Sequence, residues 1–232
     1  MSDSDERATL ARIARQLHTQ YRYELERRKE KGRTLAHQPH FLWRELVAAF
    51  ATWGGSGGWD RLRADQEGRA RLEYEALADL SPAQRLSQIQ DVLKQASVRW
   101  PNRKARYLDE AFERIRRMGG PRKAAELLFS QDGAEAKLRF LTDFPGIGLK
   151  YARNIMIEAY DEDFRDIIPN HPRVKRVSTA LDLRFDDYED EESFYHAVAR
   201  DAGISAWELD RLIHFHLEAF LEALGDEASA AS

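Results

Sequence analysis

The stretch that most constrains this chain is residues 140–177, whose centre, Phe144-Pro145-Gly146-Ile147-Gly148, is a tight turn with two glycines. A helix-like stretch precedes it and a second apolar-periodic stretch follows. Two helices joined by so short a Gly-x-Gly turn leave backbone N–H groups free at the start of the second helix. With the helix dipole, those donors make an anion site suited to a phosphate of DNA. Such a site ignores base identity, so it positions a strand and reads nothing. The same pattern also serves as a plain structural turn, and the pattern alone does not choose. Lys150 stands two residues past Gly148, in the first turn of the second helix. The dipole disfavours a cation there, and partial desolvation adds to that, so the field favours the neutral, nucleophilic amine. As a lone residue it also fits an ordinary exposed lysine.

Composition narrows the setting. The 232 residues are enough for one large domain or two lobes sharing a core, and 43% hydrophobic with 10% aromatic content suits a globular protein. No apolar run approaches the roughly 18 residues of a membrane span. The acidic start Met1-Ser2-Asp3-Ser4-Asp5-Glu6 lacks the apolar core of a signal peptide. Without cysteine there is no disulfide, thiolate zinc site or cysteine-ligated iron–sulfur cluster, and an intracellular, cytoplasmic or nucleoid-associated setting is expected. The net charge of −4 conceals a gradient: nine Lys/Arg against three acids between Arg99 and Lys123, but three Arg against fourteen acids from Asp182 onward. Phosphate binding depends on the local patch, so the balance permits a DNA-binding face.

Along the chain the period is helical throughout and nothing alternates at period two for long, which predicts an all-α fold. Residues 7–31 read as a helix that Gly32 stops, and 34–40 as a loop. His37 and His40 have no third ligand nearby and read as loop histidines. Residues 41–52 read as an apolar core helix, followed by Trp53-Gly54-Gly55-Ser56-Gly57-Gly58-Trp59. That loop offers either close backbone approach and two stacking faces to a ligand, or a flexible connection with its tryptophans packed inward. Ser81-Pro82 starts another helix. Pro101 opens one to about Met118 whose Arg103, Lys104 and Arg106 make the best candidate for a basic, phosphate- or solvent-facing stripe. Residues 122–129 and 134–143 follow as helices, then 161–168 as a loop and 173–181 as a helix with Pro172 at its first position. Residues 186–192 read as an acidic turn, 193–200 and 205–224 as the closing helices, and 225–232 as a frayed tail. His214 and His216 are two apart, hence on different faces and no metal pair; Trp207, Leu212, Phe215 and Phe220 read as core.

Taken together, F-P-G-I-G-L-K-Y-A-R-N-I-M, the later I-P-N-H-P-R-V-K-R-V and N-R-K-A-R-Y-L at 102–108 resemble the helix-hairpin-helix/Gly-Pro-Asp superfamily of DNA glycosylases, on a cluster-free branch. The resemblance spans roughly residues 41–220 and is strongest over 140–181. It implies two α-helical lobes flanking a DNA cleft, with approximate lobes at 41–133 and 134–181 and flanking helices from 1–40 and 182–224 within one unit. A flipped base enters such a cleft for removal. By resemblance, Lys150 matches the lysine that displaces the base and forms a Schiff base before β-elimination, and Gly146, Ile147 and Gly148 match the phosphate-gripping hairpin. Trp53 and Gly54 lie where the family fills the gap left by the flipped base, and Arg103 and Lys104 are the accompanying DNA-contact candidates. No metal site and no cofactor are implied beyond a monovalent cation at the hairpin; the partner is duplex DNA with a damaged base or abasic site, bound by a monomer. One position departs from the pattern. The family's carboxylate, which stabilises an oxocarbenium-like transition state, is replaced by His171. Neutral imidazole can take a proton from the lysine but supplies no negative charge. Three readings stay open: His171 as a weaker base, Asp166 reaching in, or DNA binding without cutting.

Overall fold

In a computed structural model, residues 3–168 and 172–230 are described, and the described residues form helices with no strand. The contacts divide the chain into two compact units, Thr34–Ile155 and Met1–Arg33 with Met156–Ser232. Residues 134–155 group with the helices before them, and the boundary at 155/156 falls inside a helix.

The Thr34–Ile155 unit is built around α2 (Phe41–Thr52), which has Phe41, Leu42, Trp43, Leu46 and Phe50 at or near zero exposure. A short helix that is apolar on nearly every side can only be a central one. It packs against α3 (Gly57–Ala64), α7 (Pro101–Arg117) and α8 (Pro121–Phe129), while α6 (Pro82–Gln95) lies along α7. Between them run the short α4 (Gln66–Arg71) and α5 (Tyr74–Ala78). Ser81 opens α6 with a capping box closed by Gln84, as the Ser-Pro start predicts. The expected loop at 53–59 ends early, because Gly57, Gly58 and Trp59 already belong to α3. A Cβ on Gly58 would lie 2.9 Å from Val98 Cγ2 and 3.0 Å from the Ala51 carbonyl, so this glycine serves close packing. α9 (Gly133–Thr142) and α10 (Leu149–Glu158) are the two arms of the predicted hairpin.

The other unit holds most of α1 (Asp3–Ala36) with α11 (Pro172–Ala180), α12 (Tyr188–Ala202), α13 (Ala206–Phe215) and α14 (Leu217–Ala230). Leu10, Ile13, Leu17 and Leu25 of α1 are buried, as are Tyr195, Trp207, Leu212 and Phe220. Phe215 is 40% exposed instead of core, with the Arg28 guanidinium 3.3 Å from its ring centre. Gly32 does not stop α1, which runs on to Ala36: a Cβ at this position would lie 2.8 Å from both the Glu158 carbonyl oxygen and Tyr160 Cβ. The glycine is a contact surface, not a terminator. The acidic run begins α12, with Asp187 accepting from the Asp190 N–H, because acids favour a helix N-terminus over a turn. The single closing helix expected over 205–224 is broken at His216, and the second piece continues through Gly225 to Ala230 where a frayed tail was expected. Glu208 closes a capping box with Ser205 and accepts from Lys29 of α1 at 2.7 Å. Burial opposes its charge, but those bonds win and hold its carboxyl down at about 2. Among the described residues no helix is long and apolar enough to cross a membrane.

Candidate nucleic-acid interface

The hairpin is closed by its own backbone: the Phe144 N–H returns to Leu141 O and the Ile147 N–H to Phe144 O. Gly146 has φ +83°, and a Cβ there would lie 2.6 Å from Tyr107 and 3.0 Å from Phe50. Backbone conformation and packing therefore both demand glycine, and α2 and α7 brace the turn from below. Ile147 is 5% exposed, so its side chain anchors the hairpin from within, and its N–H is taken up by the turn. Gly146, Gly148, Leu149 and Lys150 are exposed. The Tyr151 and Ala152 N–H groups both donate to Gly148 O. The earlier N–H groups, of Gly148, Leu149 and Lys150, have no backbone acceptor among the described residues, which is the donor set an anion needs at a helix start. Because Lys150 is exposed, the protein itself does not supply the desolvation expected around it, and the helix N-terminus is what remains of that expectation.

The basic helix divides sharply. The buried residues of α7 are Lys104, Ala105, Leu108, Ala111, Phe112 and Ile115, a single helical face, and Lys104 lies on it with no exposed surface. It cannot touch DNA, and its sequence assignment as a contact is corrected. Its ammonium donates to the Trp53 carbonyl at 2.5 Å and lies 5.5 Å and 5.8 Å from the Trp53 and Trp100 ring centres. That carbonyl belongs to the residue closing α2, so Lys104 caps a helix C-terminus, where a cation is welcome. Burial, with repulsion from Arg99, pushes the Lys104 amine down to about 8.

Arg103 is exposed as expected. Its Nε donates to the Tyr107 hydroxyl at 3.0 Å and its guanidinium lies 5.2 Å from the Trp53 ring. Trp53 stacks on Tyr107 at 6.1 Å and 19°. Trp53, Tyr107 and Gly146, far apart in sequence, are thus brought together by the fold, and the loop and hairpin form one surface. The loop's other tryptophan, Trp59, lines a separate cavity of about 270 Å³ with Leu35, Trp43, Val47, Leu62 and Leu72. Gly54 is exposed, at φ +86°, and a Cβ there would lie 2.8 Å from the Trp100 ring. His171 and the residues Pro169 and Asn170 beside it lie outside the described residues. Among the described residues no group of three His, Cys, Asp or Glu side chains could hold a metal ion.

No protein-family model matches the chain, and no curated protein matches it. Solved structures do, two 8-oxoguanine DNA glycosylases among them. The 8-oxoguanine DNA glycosylase of Thermotoga maritima superposes with a TM-score of 0.63 at 17% identity, over 90% of this chain and 96% of that one. The 8-oxoguanine DNA glycosylase of Methanocaldococcus jannaschii superposes with a TM-score of 0.67 at 15% identity, over 94% of this chain and 97% of that one. At such identities the likeness is one of fold, and the chain has the all-α fold of these two 8-oxoguanine DNA glycosylases, the architecture that the resemblance in residues 140–181 leads one to expect.

Proposed function

We propose that this protein is a base-excision DNA glycosylase with abasic-site lyase activity, acting on an oxidised base in duplex DNA as a monomer. The observation that carries the reading is Lys150: an exposed lysine at the start of α10, directly after a glycine hairpin with unclaimed N–H donors, in a chain with a glycosylase fold. The hairpin amides take a backbone phosphate and set the strand's position. Lys150 Nζ, as the free amine, attacks the sugar C1′. The glycosidic bond breaks with its electron pair on the base, which takes up a proton and leaves. Loss of a proton from nitrogen and opening of the C1′–O4′ bond give the Schiff base. Removal of a C2′ proton then expels the 3′ phosphate and cuts the strand. His171 is the proposed proton acceptor for Lys150, in the place of the family's carboxylate.

Borohydride reduction during incubation with DNA carrying 8-oxoguanine or an abasic site tests this. A covalent adduct is expected with the natural protein and none with Lys150→Ala. In the same assay His171→Asp is expected to raise the rate, by up to about 10²-fold, the scale of one positioned acid–base group. A second reading, a DNA-binding module that recognises damaged or bent duplex without cutting it, is favoured by one observation, the missing carboxylate at position 171. Tight binding with no adduct from the natural protein would establish it and end the enzyme reading.

A further inference from the structure

The cavity of about 270 Å³ in the Thr34–Ile155 unit is walled by Trp43 and Val47 of α2, Trp59 and Leu62 of α3, and Leu72 after α4. None of Trp53, Arg103, Gly146 or Lys150 lines it, so it has no share in the surface described above. The Trp43 indole N–H is spent on the Leu72 carbonyl at 2.7 Å. The apolar walls therefore hold no free donor there, and water has few partners inside. Empty apolar space forfeits packing that a core otherwise keeps. The size is informative as well. It exceeds the about 150 Å³ that accepts a benzene ring and falls short of the roughly 300–1,000 Å³ of a drug-sized site. One ring system with a single substituent fits.

The polar part of the lining is charged, and unevenly: Arg44, Arg63 and Arg69 stand against Glu45 and Glu73. Arg44 and Glu73 answer each other at 3.2 Å, and Glu45 is also engaged. Arg69 donates to the Arg63 carbonyl in the last turn of α3, so these two residues are neighbours. Among the described residues Arg69 has no ion-pair partner, and Arg63 has only Asp60, at 3.7 Å, with both side chains more than half exposed. A pair so long and so exposed holds a guanidinium weakly. Two planar forks are thus left open to a better carboxylate beside an apolar cavity.

We propose that this cavity is a binding site for a small aromatic acid, its ring against the Trp43 and Trp59 side chains and its carboxylate on Arg63 and Arg69. The site is independent of the reading of the hairpin as a DNA interface. The occupant is aromatic because two indoles in one wall favour a ring partner beyond the area it buries. It is an acid because the open groups beside that wall are cations with donors only. A bare nucleobase is the poorer fit, since its polar edge would lie against walls that offer it no donor.

The test is calorimetric titration of the intact protein with naphthalene-2-carboxylate and with the neutral naphthalene-2-carboxamide. The acid is expected to bind saturably at one site, and the amide about tenfold more weakly, the scale of one lost charge-assisted bond. Arg63→Gln and Arg69→Gln should each weaken the acid by about tenfold and leave the amide within about twofold. Both side chains lie at the surface or half-buried, so neither variant threatens the fold. Trp59→Ala should weaken acid and amide alike. No saturable binding of the acid, or the same affinity in the natural protein and both arginine variants, would overturn the assignment. Binding lost in Arg103→Ala but kept in Arg69→Gln would also overturn it, by moving the carboxylate to α7. None of these outcomes bears on the borohydride test of Lys150, so the two readings stand or fall separately.

Discussion

Lys104 shows at the scale of one residue how position on a helix outweighs residue type. The segment 102–108 carries three cations, and composition treats them alike. Once α7 starts at Pro101, its period puts Arg103 and Arg106 in water and Lys104 among Ala105, Leu108 and Phe112. The ammonium persists there by bonding the Trp53 carbonyl. Its folded value of about 8 lies below the unfolded value of 10.5. The native state therefore sheds this proton first, and between those two pH values the unfolded chain binds more protons. Stability from this group is fully present above pH 10.5 and lost as the pH falls through 8. Thermal unfolding from pH 7 to 10.5 should accordingly show the natural protein gaining on Lys104→Met as the pH rises above about 8. The neutral amine still donates to Trp53 O, so the clamp survives deprotonation. A flat difference across that range would mean that the amine titrates alike in both states. The turn at Gly146 and the helix start just before Lys150 were legible in the sequence because their signal is local. The burial of Lys104 and of the Ile147 side chain was not, because which side of a helix or turn is buried depends on partners far along the chain.

Among elements, α1 gives the clearest case of a signal that reads one way locally and another in context. Glycine near the end of an amphipathic stretch ordinarily ends a helix. Here Gly32 sits inside α1, against the carbonyl of Glu158 and the side chain of Tyr160. On intrinsic propensity, Gly32→Ala would stabilise an exposed helix by about 1 kcal/mol. A Cβ at 2.8 Å from a backbone oxygen requires something to shift, and overpacking of this kind costs about 1–3 kcal/mol. The variant is expected to be destabilised, by up to about 2 kcal/mol net, in chemical denaturation. Stabilisation would show that the α10 end yields freely. The starts of α2, α6, α8 and α11 follow their predicted places, since Pro at the first position and an apolar period are local instructions. The break at His216 was not legible: residues 205–224 keep their period across it. His216 is instead held by the Tyr21 ring at 3.6 Å and Glu24 at 3.2 Å, both from α1.

At the scale of the whole molecule, a net charge of −4 must coexist with the proposed binding to a polyanion. The structure shows how few of the cations are placed for it. Of the nine between Arg99 and Lys123, Lys104 is buried, and Arg114, Arg116 and Lys123 are paired with Asp143, Glu113 and Glu126. Arg99, Arg103 and Arg106 remain exposed at the end of α7 that carries Trp100, while Arg117 closes the other end of α7 and Arg122 lies beyond it. On the proposed function those three arginines define a small phosphate footprint, and a small footprint has a measurable consequence. Each phosphate neutralised releases counterion, so log affinity falls with log salt by about 0.9 per contact. Replacing Arg99, Arg103 and Arg106 by Ala should weaken binding to intact and abasic-site duplex equally and flatten the salt slope by up to about 3. Salt titrations of the triple variant on both duplexes therefore test whether these arginines position the strand. An unaltered slope in the triple variant would move the phosphate contacts off α7 altogether, leaving the hairpin amides as the anchor of the strand.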